Sequence, residues 1–530
     1  MDRKAAKEAF VSGLSGAPAS EVFALVGTLS LLVVICEGVK ALARSHGRRL
    51  GLVLELGIVV GMHLLLATEA LPLWPIFSTC MVVASSFLMI AARGGLPPPA
   101  GATVEALAGP RKSFLSVFRG ALLCATCVAI LAVDFRAFPR RYAKAESYGT
   151  GYMDVGVGGV VFAAGLVSRT ALPPAEGGAP WPPPPLRQRL VSALRGSAAC
   201  WALALVRLVS TRAVDYQVPV GEYGTHWNFF ATIAVVAAVA GVVAVPPDRL
   251  LTAAISATLL HQAALSYGGL GAWAVSPERG PDLASLNKEG LASAAGFVAL
   301  HLWGQALGAL LHASLQQPAA VIREAAARGS AGVKAHGRQG EARAGAWSVA
   351  YGAVLSWALR LAASNAVLWA AVAMWTAAGE RVSRRTCNAP YILWIAAQCH
   401  AAILPLALWQ AVLTAARALQ AVGDKQAAGA VQVAAAAGRG KAEVAEAATQ
   451  ESTQGSTGAG DAVGPRVLLA INRNPLPVFL AANLLTGAVN LRIDTMQVSD
   501  WPARAIVGAY MALVCGAALA LESRGWRLRL

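Results

Sequence analysis

Charge and aromatic residues are both scarce in this sequence. Only 14% of its 530 residues are Asp, Glu, Lys or Arg and 7% are aromatic, against 56% hydrophobic. With a mean hydropathy of +0.55, an ordinary water-soluble enzyme is excluded. Acidic residues are scarcer than basic ones, 28 against 44, giving a net charge of +16. That excess does not indicate nucleic acid, because no basic, aromatic-interleaved soluble domain carries it and the cations are spread over many membrane-flanking loops; anionic membrane lipid is the expected partner. No H-x-x-x-H or H-E-x-x-H pattern occurs, so no metal site is expected. The eight cysteines include Cys124-Ala-Thr-Cys127, but that spacing has no second pair and falls within an apolar run, where cysteine packs as a small hydrophobe. The cysteines leave the redox compartment open. No internal repeat of the inverted transporter kind is visible. The N-terminal M-D-R-K-A-A-K-E-A-F lacks the apolar core and cleavage site of a signal peptide, so the first span is expected to direct insertion.

What is present is a series of apolar windows, each long enough to cross a hydrocarbon core. They lie near 21–39, 50–68, 72–92, 117–133, 153–171, 192–210, 227–246, 250–271, 290–312, 350–377, 390–417, 476–493 and 503–521. Their continuous Leu, Val and Ala runs predict an all-α, polytopic integral membrane protein of about thirteen transmembrane helices. One membrane domain is expected: eleven spans within 1–419, a low-complexity cytoplasmic insert at 420–465 too poor in large apolar residues to fold, and two spans with a basic tail in 466–530. Gly94–Gly109 and Leu172–Pro185 read as extended linkers. Lys and Arg concentrate in alternate loops, from Lys40, Arg44, Arg48 and Arg49 through Arg323–Arg343 to the Arg524–Arg529 tail. This predicts a cytoplasmic C-terminus and an N-terminus on the opposite face.

One segment breaks the pattern. Asp134–Gly158, D-F-R-A-F-P-R-R-Y-A-K-A-E-S-Y-G-T-G-Y-M-D-V-G-V-G, gathers Asp134, Arg136, Arg140, Arg141, Lys144, Glu146 and Asp154 between two nearly uncharged runs, and the orientation rule places it on the non-cytoplasmic side. Ionisable groups at a membrane edge are costly unless paired or used; binding of lipid headgroups by an interfacial loop is the alternative. His226, in E-Y-G-T-H-W-N-F-F, stands on the same predicted face. So do S-P-E-R-G-P-D-L-A-S-L-N-K-E-G and E-R-V-S-R-R-T-C-N-A-P-Y, the latter with Glu380, Arg384, Arg385 and Asn388. In the twelfth span Asn483, Thr486 and Asn490 share one helix face, fit either for a polar ligand or for helix packing.

The first of these segments, H-W-N-F-F, and N-R-N-P-L-P-V-F-L-A-A-N-L-L-T-G-A-V-N-L together resemble the GPI inositol acyltransferase family, also known as phosphatidylinositol glycan class W or GPI-anchored wall transfer proteins. The likeness runs from K-E-A-F-V-S-G near the N-terminus to the last spans and skips the linkers and the insert. It implies thirteen spans, a luminal N-terminus, an endoplasmic reticulum location and transfer of a fatty acyl chain, typically palmitoyl, from palmitoyl-CoA or another acyl-CoA to the inositol 2-hydroxyl of glucosaminyl-phosphatidylinositol. Acyl-CoA is then a co-substrate and no cofactor is expected. Asp134 and Lys144 look like the family's Asp and Lys ten residues apart: Asp134 as general base, Lys144 either polarising the thioester or pairing with Asp134. His226 is the rival base. Arg140 and Arg141 suit phosphates, Asn483 and Asn490 the acyl or inositol pocket, and Glu146, Asp154, Trp227, Asn228, Arg384, Arg385, Asn388 and Asn474 complete the expected substrate-binding set. A covalent acyl-enzyme is not expected, since no Cys or Ser stands in a nucleophile motif beside these residues. The alternative from another class is a multispanning transporter or flippase for a lipid or organic anion.

Overall fold

The structure is a computed structural model, and it describes residue 10 and residues 12–43, 48–213, 220–336, 339–438 and 463–527. Most of K-E-A-F-V-S-G and residues 439–462 of the insert lie outside the described residues. Fourteen helices matter here. In order they are α1 Ala19–Leu42, α2 Arg49–Ala67, α3 Leu73–Ala92, α4 Ser113–Ala132, α5 Asp154–Leu166, α6 Leu186–Ala213 and α7 Phe229–Val242. Then come α8 Leu250–Ser266, α9 Lys288–His336, α10 Gln339–Ala377, α11 Ala389–Gly438, α12 Arg466–Arg473, α13 Pro475–Arg492 and α14 Asp500–Ser523. Among the described residues there is no strand, only an isolated bridge between Gly16 and Thr150.

The chain is a multi-pass membrane protein, as the apolar runs require. Each of the thirteen expected spans coincides with a helix, but among the described residues nine are long and apolar enough to cross a membrane, or ten if the bent pair α12 and α13 counts as one. The count of about thirteen is therefore not reached. The physical reason is length. Glycine-rich α5 stops at Leu166 and α7 at Val242, α8 stops at Ser266, and α13 turns 96° from α12. Helix α11 continues to Gly438, so the start of the low-complexity stretch is helical. The linkers are also less extended than expected. Val104–Ala108 forms a helical turn whose carbonyls are capped by Lys112, with Nζ donating to Leu107 O at 3.1 Å and Gly109 O at 2.9 Å.

Helices α11, α4 and α1 form the centre, with 78%, 72% and 67% of their apolar windows buried, whereas α6 and α3 lie outside at 17% and 22%. In lipid the packing itself, rather than expulsion of water, holds helices together, so close approach matters. A Cβ on Gly304 of α9 would sit 2.1 Å from Phe162 O of α5, and one on Gly120 of α4 would sit 2.1 Å from Leu468 O of α12. Only glycine permits those contacts.

Far from Asp134, buried Glu55 accepts from Lys40 Nζ at 2.6 Å and from Val467 N at 2.9 Å. Glu522 takes Arg466 at 2.9 Å and Arg473 at 3.0 Å. These contacts fix α12, and through the bend they aim α13, whose far end carries Asn490.

Candidate active site

Helix α4 ends at Ala132 and its last carbonyls are taken by the turn that follows, Asp134 N donating to Leu131 O at 3.2 Å and Phe135 N to Ala132 O at 3.0 Å. Arg140 ties the carbonyls of that turn. From the turn after Pro139 its Nη2 donates to Val133 O at 2.9 Å, Phe135 O at 3.0 Å and Phe138 O at 2.8 Å. Burial pulls the Arg140 pKa down to about 10 against the opposing pull of Asp134, which leaves it cationic at neutral pH. Arg141, expected beside a phosphate, is paired with Glu21 at 2.8 Å and with Glu69.

Between these anchors Asp134 meets α13. Asn490 Nδ2 donates to Asp134 Oδ2 at 2.7 Å across 356 positions of sequence. On the same helix face Asn483 is closed onto its own helix, donating to Phe479 O at 2.7 Å, and Thr486 is buried. Asn474 stands at the 96° bend and donates to Trp526 O at 3.0 Å.

Lys144 goes elsewhere. It pairs with Glu222 at 2.7 Å, and the same Glu222 oxygen takes Arg384 Nη1 at 3.2 Å. Arg384 Nε in turn donates to Asp154 Oδ1 at 2.7 Å. The other Asp154 oxygen accepts Ala145 N at 3.0 Å and Gly151 N at 2.8 Å. A chain of alternating charge thus runs Lys144, Glu222, Arg384, Asp154, and it clamps the loop Ala145–Gly151. Burial pushes Glu222 up, but Lys144 and Arg384 outweigh it and hold the carboxyl well down, at about 2. Burial would lower Arg384, and the carboxylates of Glu222 and Asp154 raise it instead. The partner for Lys144 is therefore Glu222, a residue the sequence reading placed only beside His226.

The remaining expected residues divide by task. Glu146 accepts Gly13 N at 2.7 Å. Asn388 caps α11, accepting Ser383 N at 3.0 Å and Tyr391 N at 3.2 Å. Arg385 pairs with Glu289 at 2.9 Å. Asn228 is the N-cap of α7, accepting Phe230 N at 3.0 Å, and Trp227 Nε1 donates to Thr232 at 2.9 Å. His226 finds its amide partner in Asn287, whose Oδ1 accepts His226 N at 2.8 Å and whose Nδ2 lies 3.4 Å from His226 Nδ1. All the polar clusters expected on one face do meet there.

Two residues escaped the sequence reading. Asn287 lay within a flagged cluster but carried no motif. Arg119 is the sole charge between Val117 and Val133. It sits two turns into α4, half-buried and with no hydrogen-bond or ion-pair partner among the described residues. By helical spacing it shares a face with Leu122 and Thr126, which are the nearest neighbours of Gly159 and Gly156 of α5. A lone cation inside an apolar span was the available signal.

The family model for GWT1 matches residues 3–521. The chain belongs to the GWT1 family. Among GWT1 relatives, GPI-anchored wall transfer protein 1 of Emericella nidulans is 33% identical over 547 residues, covering 100% of this chain and 99% of the relative. The Aspergillus fumigatus protein of that name is 31% identical, with 98% of each chain covered. That of Gibberella zeae is 30% identical with 99% of each covered. The GWT1 likeness thus extends through every helix that builds the Asp134 site.

Proposed function

We propose that this chain acts in GPI-anchor biosynthesis as an acyl-CoA-dependent O-acyltransferase of the endoplasmic reticulum membrane, with its N-terminus luminal and its C-terminus cytoplasmic. It moves a palmitoyl chain from palmitoyl-CoA to the inositol 2-hydroxyl of glucosaminyl-phosphatidylinositol. The observation that carries this reading is the Asp134–Asn490 pair: a carboxylate at the end of an apolar helix, oriented by an amide from another helix. Family membership supports a lipid of GPI-anchor biosynthesis as the substrate class.

In this mechanism Asp134 takes the proton of the 2-hydroxyl as the oxygen attacks the thioester carbonyl carbon. The tetrahedral intermediate collapses with cleavage of the carbon–sulfur bond, and the proton held by Asp134 passes to the departing CoA sulfur. Products are the inositol ester and free CoA. Asn490 holds Asp134 in register, and the Lys144-to-Asp154 chain fixes the loop beside it. Acyl-CoA is cytosolic, and Arg119 supports a route for it. Fifteen residues of helical rise separate Arg119 from Asp134, about 22 Å, on the scale of the pantetheine arm between the CoA phosphates and the thioester. A guanidinium without a carboxylate is suited to such phosphates.

Microsomes lacking their own inositol acyltransferase, supplied with this chain, labelled glucosaminyl-phosphatidylinositol and palmitoyl-CoA, test the reading. A phospholipase-resistant, more hydrophobic lipid is expected from wild type and not from Asp134→Asn at equal expression. Unchanged product from that variant moves the base to His226, which the Asn287 contact favours as the next candidate. No product from folded wild type overturns the acyltransferase reading.

A further inference from the structure

At the same end of the bundle, lined by Gly149 and Thr150 of the Ala145–Gly151 loop, lies a cleft of about 370 Å³ that the reaction does not use. One wall is α10, where Trp369, Val372, Ala373 and Thr376 share a helix face. The other is the start of α1 at Ala19 together with Gly149 and Thr150. Arg381 and Val382 form the mouth. The cleft opens outward along α10, where Ala373 and Thr376 on this same face are exposed and only 28% of the helix's apolar window is buried. A hydrocarbon chain can therefore enter sideways from the bilayer.

The mouth is cationic. Arg381 is exposed, stacks over Tyr148 at 5.5 Å, and has no carboxylate partner among the described residues. Its neighbour Glu380 is turned away, accepting from Ser266 of α8 at 3.2 Å. The hydroxyls in the cleft are satisfied internally, Thr376 by Ala373 O at 2.9 Å and Thr150 by Ala17 O at 2.5 Å. An occupant thus meets apolar walls and one unneutralised guanidinium at membrane-edge depth. Tryptophan and arginine at that depth are interfacial residues.

We propose that this cleft binds a membrane phospholipid of net negative charge, with its phosphate on Arg381 and one acyl chain along Trp369, Val372 and Ala373. The bound lipid is an effector distinct from the glycolipid substrate. It braces the loop that holds the charged chain: Gly149 N donates to Val382 O at 2.8 Å and Ser383 Oγ to Ser147 O at 2.7 Å, one residue from Arg384. Gly149 has no room to adjust, since a Cβ there would lie 1.9 Å from Ser15 O.

The test uses the purified full chain in detergent, titrated with phosphatidylserine, phosphatidylcholine or glucosaminyl-phosphatidylinositol, with bound lipid read by native mass spectrometry and the thermal midpoint read alongside. Phosphatidylserine is expected to bind at one site and raise the midpoint. Arg381→Ala is expected to weaken it about fivefold, the worth of one basic residue at an anionic lipid. Ala373→Trp, which fills the cleft and leaves Arg381 in place, is expected to abolish it. Equal binding of phosphatidylcholine, unchanged binding by both variants, or a site that takes only glucosaminyl-phosphatidylinositol would each overturn the proposal.

Discussion

Replacing Arg384 by methionine is expected to be far more damaging than neutralising its partner. Asp154 is wholly buried and Arg384 is 5% exposed, and they meet at 2.7 Å. Without Arg384, Asp154 keeps only two backbone N–H donors against a full negative charge in a low-dielectric interior. Removing one member of such a pair costs about 3–5 kcal/mol, two to four powers of ten in the folded ratio. Asp154→Asn is different. Its amide oxygen still accepts from Ala145 and Gly151 and Arg384 retains Glu222 at 3.2 Å, but the amide nitrogen faces Arg384 Nε donor to donor, so the cost is expected to be about 1–3 kcal/mol. In the double variant the uncompensated charge is gone, and Arg384→Met with Asp154→Asn should recover about 1–3 kcal/mol relative to Arg384→Met alone. The assay is the fraction of full-length protein surviving heating in detergent, by size-exclusion chromatography. A double variant no more stable than Arg384→Met would refute the claim that Arg384 serves to neutralise Asp154.

Three further outcomes follow from the same geometry. Asn490→Leu removes a hydrogen bond to a charged group, worth about 1.5–3 kcal/mol, and should lower kcat/KM for acyl transfer by roughly 10- to 150-fold with unchanged expression. Because Glu222 is held down to about 2 from its ordinary 4.5, its contribution to stability is complete above pH 4.5 and is lost as the pH falls toward 2; thermal midpoints at pH 7, 5 and 3 should show no loss from this group before the last. Arg119→Ala should raise KM for palmitoyl-CoA about tenfold or more, the worth of a charged contact with phosphate, and leave KM for the glycolipid unchanged, measured in initial-rate assays.

Much of the fold was legible because a bilayer admits few solutions: apolar windows of span length had to become helices. The windows at 153–171 and 227–246 were less decisive, since hydropathy does not report where a helix is cut short or where Asn474 lets α12 and α13 bend by 96°. The site was legible in its composition and less so in its pairings. Asp134, Lys144, Arg384 and Asn490 were all singled out, yet which carboxylate meets which cation depends on contacts such as Arg384 with Asp154, 230 positions apart. Spacing along a chain carries no information about that. Arg140 and Asn228 show the converse: both sit in the motifs, and both are engaged in tying local backbone, work that a motif does not distinguish from substrate binding.

The most direct test of the central claim is stoichiometric. The purified full chain is placed in liposomes with glucosaminyl-phosphatidylinositol and palmitoyl-CoA, and acylated glycolipid and free CoA are counted together. The account predicts one CoA released for each inositol acylated, with neither formed by Asp134→Asn. Movement of glycolipid across the bilayer without release of CoA would contradict it and identify a transporter instead.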